Sequence, residues 1–410
     1  MNINKNNITM KNQIFLFISL LFITHSCKSQ EVISQNQTVI TAESQPKVRY
    51  ANYWLWPQIP EDKVEEIAKY DLAIIDHENI FNNKEALYKI KEINPNITIL
   101  CYFNPMEIFA PEYLRIYLDR PFTHVVYRYL DATNKWWLKN AKGEIIRFDD
   151  RQLMLNLSTK SEKFFVSYFD KEMQYWEFIT QMHLDWILED TIWDGIFEDN
   201  FETVEWLALK NGKQGVDIDG DKQVDGLKEI AKYWQEGMEN RLKMILEAHS
   251  NYIIMGNKGK NFLPKYTQGK MFENFPDMYL THSFENYNQN MINALEIDSV
   301  AIFNVYSQDH YYLSFASAML VNEPIYLSYK QQDVWQDFYL NPDDWGKPKT
   351  ESISEFNQKT YTREFENGYV QVIAGDESNK HVHYKIVLTQ ETGKLVLEGS
   401  VLKQKPEPIK

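Results

Sequence analysis

The chain has 410 residues, too many for a minimal domain and enough for one large barrel with a small appendage. Asp and Glu number 58 against 43 Lys and Arg, a formal charge of −15, which excludes a surface built to attract nucleic acid or anionic lipid. Aromatic residues make up 14% of the chain, a share that serves a sugar-stacking cleft and an aromatic-rich core equally well.

Residues 1–27 read as a secretory signal that ends at a lipoprotein-type cysteine. Lys5 and Lys11 precede an apolar run from Ile14 to Ile23, which is too short to span a bilayer, and Thr24-His25-Ser26-Cys27 follows. Cys27 is the expected lipidation site, although Thr24 departs from the usual leucine-like residue. The protein is therefore expected in the envelope of a bacterium, exported and anchored to a membrane, with the leaflet left open. Losing residues 1–26 removes two lysines and no acid, which takes the formal charge from −15 to −17. Cys101 is then left without an intramolecular partner; it lies in the run Ile97–Tyr102 and reads as a small buried hydrophobe.

Residues 28–47, rich in Ser, Gln and Thr, form a flexible tether. From there to residue 345, eight short apolar runs recur: 49–55, 71–76, 97–104, 195–200, 252–257, 270–274, 300–306 and 324–329. Helical patterns separate them, the clearest being Leu227, Ile230, Ala231, Trp234, Met238, Leu242 and Ile245 at three- and four-residue spacing. Strands that are apolar throughout suit a parallel sheet buried on both faces. Eight strand-helix units predict an α/β fold, a (β/α)8 TIM barrel, over 48–345. A doubly wound open sheet is the rival, but no Gly-rich phosphate loop follows any strand. Residues 121–147 form an insertion after the third strand, carrying Trp136-Trp137 and a hairpin turn at Lys142-Gly143-Glu144. Residues 346–410 form a small antiparallel β appendage, with strands at 369–373, 381–388 and 394–402. His381 and His383 share a face there and read as exposed histidines, since no third metal ligand accompanies them.

Catalysis in a barrel of this kind sits at the carboxyl ends of the strands. The polar residues there are Asp76, Asn104, Asp199, Asn257, Glu273, Asn304 and Ser328. Glycosidic cleavage needs two carboxyl groups, one to protonate the leaving oxygen and one to attack or to activate water. Asp199 after the fourth strand and Glu273 after the sixth are the candidate catalytic pair. Side chains alternate along a strand, so only one of Glu198 and Asp199 faces the barrel axis, and Asp199 is one residue nearer the mouth. Trp54, Trp56 and Trp137 are candidates to stack on sugar rings, and Asp76, Asn104, Glu198, Asn257 and Asn304 to bind substrate. Metal-dependent hydrolysis is disfavoured because His77 is the one histidine at a strand end.

The stretch Asp217-Ile218-Asp219-Gly220-Asp221-Lys222-Gln223-Val224-Asp225 has carboxylates at positions one, three, five and nine of a calcium-type loop, with the Gln223 carbonyl at seven. Lys222 replaces the turn glycine and Lys228 stands in place of the bidentate Glu. A structural Ca²⁺ is expected there, held by Asp217, Asp219, Asp221, Gln223 and Asp225. A helix-capping acidic loop is the alternative. No organic cofactor is expected.

The chain resembles the hypothetical glycosyl hydrolase family 15. The resemblance is carried by Asp194-Gly195-Ile196-Phe197-Glu198-Asp199-Asn200, by the Asp217–Asp225 loop, by Met271-Phe272-Glu273-Asn274-Phe275 and by Arg363-Glu364-Phe365-Glu366-Asn367-Gly368. It implies a (β/α)8 barrel acting on carbohydrate, with the acid after strand four as nucleophile and the acid after strand six as acid/base, which fall on Asp199 and Glu273. The alternative is a non-catalytic glycan-binding lipoprotein on a hydrolase scaffold.

Overall fold

All eight apolar runs form parallel strands: β1 (Val48–Trp54), β2 (Leu72–Asp76), β3 (Thr98–Phe103), β4 (Gly195–Glu198), β5 (Ile253–Asn257), β6 (Gly269–Glu273), β7 (Val300–Val305) and β8 (Ile325–Tyr329). Each pairs with the next, and β8 closes on β1 with Val48 opposite Ile325, giving the (β/α)8 TIM barrel. The structure is a computed structural model that describes residues 46–402, apart from 211, 258–261, 277–283, 297–299, 332–333 and 376–380. The signal segment, Cys27 and most of the tether lie outside the described residues. Among the described residues no helix is long and apolar enough to cross a membrane.

Two apolar layers explain why the strands are apolar throughout. Ala51, Tyr53, Leu72, Ile74, Leu100, Phe197, Met255, Met271 and Ile302 pack on one another inside the barrel. Their neighbours in sequence, such as Ile75, Ile99, Ile196, Ile254 and Phe272, face outward into the larger core under the helices. Strand side chains alternate with a period of two, so the inward set continues to Asp76, Asn104, Asp199, Asn257, Glu273 and Asn304 at the mouth. Gly195 at the start of β4 is required by crowding, since a Cβ there would collide with the backbone of Ile253.

The segment between β3 and the helix Tyr175–His183 is folded over the mouth. It opens with a short strand, Glu107–Phe109, and the helical turn Pro111–Leu114, and continues in the helix Pro121–Thr133, where the sequence indicates only an insertion. The expected hairpin follows: Ile146 N–H donates to Leu138 O at 2.9 Å, and Gly143 takes the left-handed φ of 80° at its turn. Met154 N–H donates to Ile146 O at 2.9 Å, which adds a third strand.

After the barrel the chain forms a four-stranded antiparallel sheet, β9 (Thr360–Phe365), β10 (Gly368–Ile373), β11 (His381–Gln390) and β12 (Gly393–Leu402), in sequential order. The sequence indicates three of these strands and misses β9, because Arg363 interrupts its apolar alternation. Arg363 is nonetheless fully buried. It donates to Met319 O at 3.2 Å, Val321 O at 2.8 Å and Asn322 Oδ1 at 2.7 Å, so a strand arginine satisfies the carbonyl end of the helix Gln308–Met319. Trp345 is also fully buried and donates its indole N–H to Val387 O at 3.0 Å.

Candidate active site

Asp199 and Glu273 meet at the mouth of the barrel through a shared amide. The Asn257 Nδ2 group donates to Asp199 Oδ1 at 2.8 Å and to Glu273 Oε2 at 3.1 Å. An amide NH₂ has two hydrogens, one for each carboxylate. The two oxygens are therefore at most about 5.9 Å apart, the sum of the 2.8 and 3.1 Å bonds. Tyr102 hydroxyl donates to Asp199 Oδ2 at 2.6 Å and Asn200 N–H to Oδ1 at 2.8 Å, so three donors orient the Asp199 carboxylate. Tyr306 hydroxyl donates to Glu273 Oε1 at 3.0 Å.

Both acids end their strands in the same way. Asn200 and Asn274 follow them with φ of 49° and 57°, left-handed turns that Asn tolerates better than most residues and that swing the chain away from the strand. Three tyrosines surround the pair. Burial first, and then the Asp199 charge, push the Tyr102 phenol well above its usual range. Burial followed by Asp199 and Glu273 does the same to Tyr53, and burial followed by Glu273 to Tyr306. All three stay neutral at working pH, and Tyr102 and Tyr306 are thereby kept as hydroxyl donors.

Sequence reasoning missed Tyr53, Tyr102 and Tyr306. Tyr53 and Tyr102 were legible as inward residues of β1 and β3, but an aromatic in an apolar run reads as core.

Beside the pair lies a cleft of about 290 Å³, lined by Leu55, Asp76, Tyr102, Asn104, Arg120 and Gln331 among others. Its walls do not include the two acids; Tyr102, which bonds Asp199, is the shared residue.

The sequence profile of hypothetical glycosyl hydrolase family 15 matches residues 91–369, more than half of the chain. The chain belongs to this family. The matched span holds both candidate acids and β3–β8, with β1 and β2 preceding it. Among solved structures, this family member is similar to the glycoside hydrolase domain of PelA from Pseudomonas aeruginosa, with 10% identity, a TM-score of 0.42 and coverage of 68% of this chain and 94% of that one. It is similar to the galactosidase domain of alpha-galactosidase-sucrose kinase, AgaSK, with 9% identity, a TM-score of 0.44 and coverage of 85% and 46%. It is also similar to an alpha-amylase from Geobacillus thermoleovorans complexed with acarbose, with 10% identity, a TM-score of 0.38 and coverage of 82% and 88%. No curated protein matches the chain in sequence.

Several residues expected at the site of this glycosyl hydrolase family member stand elsewhere. Glu198 faces outward, fully buried, and accepts from Arg241 Nη1 at 2.8 Å, so it is withdrawn from the substrate side. Trp54 is 4% exposed and donates to Gln58 O; Trp137 is 5% exposed and packs on Tyr127. Neither has a face left for a sugar. Asn304 is fully buried and ties β7 to β8 through Ser328 Oγ at 3.0 Å. Trp56 is 55% exposed on the loop after β1.

Asp76 and Asn104 do line the cleft, each engaged by the inserted segment. Asp76 pairs with Arg120 Nη1 at 3.0 Å, and Asn104 donates to Glu107 Oε1 at 2.6 Å. Next to Asp76, Glu78 accepts from Phe122 N–H at 3.0 Å and Thr123 N–H at 2.9 Å, capping the helix Pro121–Thr133 from another element. His77 lies between Asp76 at 4.0 Å and Glu78 at 3.6 Å.

In the acidic loop, Asp217, Asp219 and Asp225 bring carboxylate oxygens within 4.8 Å of one another. Lys222, at the position where a calcium loop places its turn glycine, takes the left-handed φ of 66°. Asp221 instead accepts from Gln223, through its N–H at 2.7 Å and its side-chain amide at 2.9 Å, so the Asp221 carboxylate stands outside the cluster. Burial, and then the charges of Asp219 and Asp217 against the Ile218 N–H bond, raise the Asp225 carboxyl. Among the described residues, His381 and His383 belong to no group of three metal ligands.

Proposed function

We propose that this protein hydrolyses a glycosidic bond of a poly- or oligosaccharide with retention, using Asp199 and Glu273. The observation that carries the reading is the shared Asn257 amide, which brings one carboxylate oxygen of each acid within about 5.9 Å of the other. Retaining enzymes hold their carboxyl groups about 5–5.5 Å apart, whereas inverting enzymes need about 6.5–9.5 Å to fit a water. Asp199, oriented by three donors, attacks the anomeric carbon while Glu273 gives its proton to the departing glycosidic oxygen. The glycosyl ester on Asp199 is then cleaved by water, whose proton returns to Glu273 as the water oxygen bonds to the anomeric carbon. Tyr102 and Asn257 each hold one oxygen of the attacking carboxylate, and Tyr306 holds the acid.

Screening the purified protein on a polysaccharide panel tests this, reading reducing ends and the anomeric configuration of the first product by NMR. Release of inverted product, or an Asp199→Asn variant as fast as the parent, overturns it.

Two further parts of this reading concern the rest of the chain. Asp217, Asp219 and Asp225 hold a structural Ca²⁺ that fixes the loop leading into the helix Leu227–Ala248. Cys27 carries a lipid that anchors the exported protein; a Cys27→Ala variant still found in the membrane fraction would refute the anchor.

A further inference from the structure

Leu55 to Ile59, the loop that leaves β1 at the mouth of the barrel, has every one of its five carbonyls held by a side chain. Arg120 Nη2 donates to Leu55 O at 3.4 Å, Asn79 Nδ2 to Trp56 O at 2.8 Å and Asn82 Nδ2 to Pro57 O at 2.8 Å. Trp54 Nε1 donates to Gln58 O at 3.3 Å and Asn83 Nδ2 to Ile59 O at 2.6 Å. Three asparagines and an arginine from outside the loop are spent on its backbone. The loop is thereby fixed in place, and what it fixes is an indole that stands 55% exposed.

A single exposed apolar residue on a surface is ordinary. A tryptophan on a backbone pinned at five consecutive carbonyls is different, because more than half of that residue is still left in water. A fixed aromatic face with little rotamer freedom to lose binds a flat apolar partner at low entropic cost. Its position names the partner. Leu55, the residue before Trp56, lines the same cleft as Tyr102, and Tyr102 donates to Asp199. Arg120, which holds the Leu55 carbonyl, lines that cleft too.

We propose that Trp56 is a sugar-stacking platform at the outer end of this cleft, a subsite remote from the Asp199–Glu273 pair, and that the substrate is a glycan chain long enough to reach from the pair to the rim. This rests on the glycosidase reading above and adds the length and direction of the bound chain. The face of a pyranose ring lies on the indole while the scissile bond sits at the carboxylates.

The test measures binding, without turnover, on the full chain carrying Asp199→Asn. Calorimetry with oligosaccharides of two to eight units, drawn from α-glucan, β-glucan, galactan and hexosaminoglycan, compares this protein with versions that also carry Trp56→Ala or Trp56→Phe. Affinity is expected to rise with chain length. Trp56→Ala should remove that rise, weakening the longest ligand roughly tenfold while leaving the shortest unchanged, and Trp56→Phe should restore most of it. Equal melting temperatures confirm that the fold is kept. A rise with length that survives Trp56→Ala overturns the platform alone. Binding of none of the oligosaccharides overturns the glycosidase reading and the platform together. Cosedimentation with phosphatidylethanolamine–phosphatidylglycerol vesicles that Trp56→Ala weakens, with oligosaccharide binding unaffected by Trp56→Ala, overturns the platform in favour of a lipid contact.

Discussion

Arg241, on the helix Leu227–Ala248, donates to Glu198 on β4 at 2.8 Å, and both side chains are wholly excluded from solvent. The pair lies one residue before Asp199, so the strand that carries the candidate nucleophile is held from behind by a buried charge. Removing one partner leaves the other uncompensated. Arg241→Met should cost roughly 3–5 kcal/mol of stability, and the double change with Glu198→Leu should recover much of it, as thermal unfolding would show. A single variant as stable as the parent would contradict this.

Asp199→Asn and Glu273→Gln are each expected to abolish most turnover with melting temperatures close to the parent. For Glu273→Gln, loss of proton transfer alone should cost roughly 10²–10⁴-fold in kcat. The reducing-end assay on the active polysaccharide is the measurement, with circular dichroism as the control for folding.

Asn257→Asp replaces the shared amide with a third carboxylate between Asp199 and Glu273. Two hydrogen bonds are lost and three like charges crowd together, so the variant should be inactive near neutral pH. Any residual activity should peak at lower pH than in the parent, where the added acid is protonated. A pH–rate profile superimposable on the parent's would show that the amide does not organise the pair.

His77 and Glu78 predict a pH window for the segment that covers the mouth. Burial opposes charge on His77, but Glu78 at 3.6 Å and the Asp76 charge outweigh it and raise the pKa above 6.5. Its contribution is then fully present below about pH 6.5 and lost as the pH climbs through the raised value. Glu78 behaves oppositely: burial would raise it, but His77 and the Thr123 donors lower it below 4.5, so its contribution is lost as the pH falls through that lowered value. His77→Gln should therefore lower the melting temperature more at about pH 5.5 than at about pH 9. An equal loss at both would refute the charged pair.

Calcium should raise the melting temperature of the parent, and chelation should lower it. Asp219→Asn should abolish that response without changing turnover of a short substrate, because neither Asp199 nor Glu273 belongs to the Asp217–Asp225 cluster. A shift in melting temperature with calcium that persists in Asp219→Asn would place the ion elsewhere.

Much of the fold was legible because both its periodicities are local. Eight apolar runs separated by helical patterns leave little but a closed parallel barrel, and the period of two in Phe197 and Asp199, or Met271 and Glu273, already aims the acids inward. The doublets Asp199-Asn200 and Glu273-Asn274 also announce the strand ends. What stayed hidden was what each polar or aromatic side chain meets. Trp54, Trp56 and Trp137 are indistinguishable in sequence, yet two are buried and one is exposed. Arg363 breaks the apolar alternation of its strand, yet it is a buried cap.

The sequence alone determined the barrel, the order of its strands and the two acids at their ends, since these follow from hydrophobic period and from the fixed alternation of side chains. Only the tertiary structure decided that Asn257 joins Asp199 to Glu273, that Glu198 turns to Arg241 and that Tyr102 and Tyr306 complete the site. Residues 102, 199, 257, 273 and 306 come from five different strands or strand ends, and contacts between them are set by closure of the sheet, a property of the whole chain that no local pattern encodes.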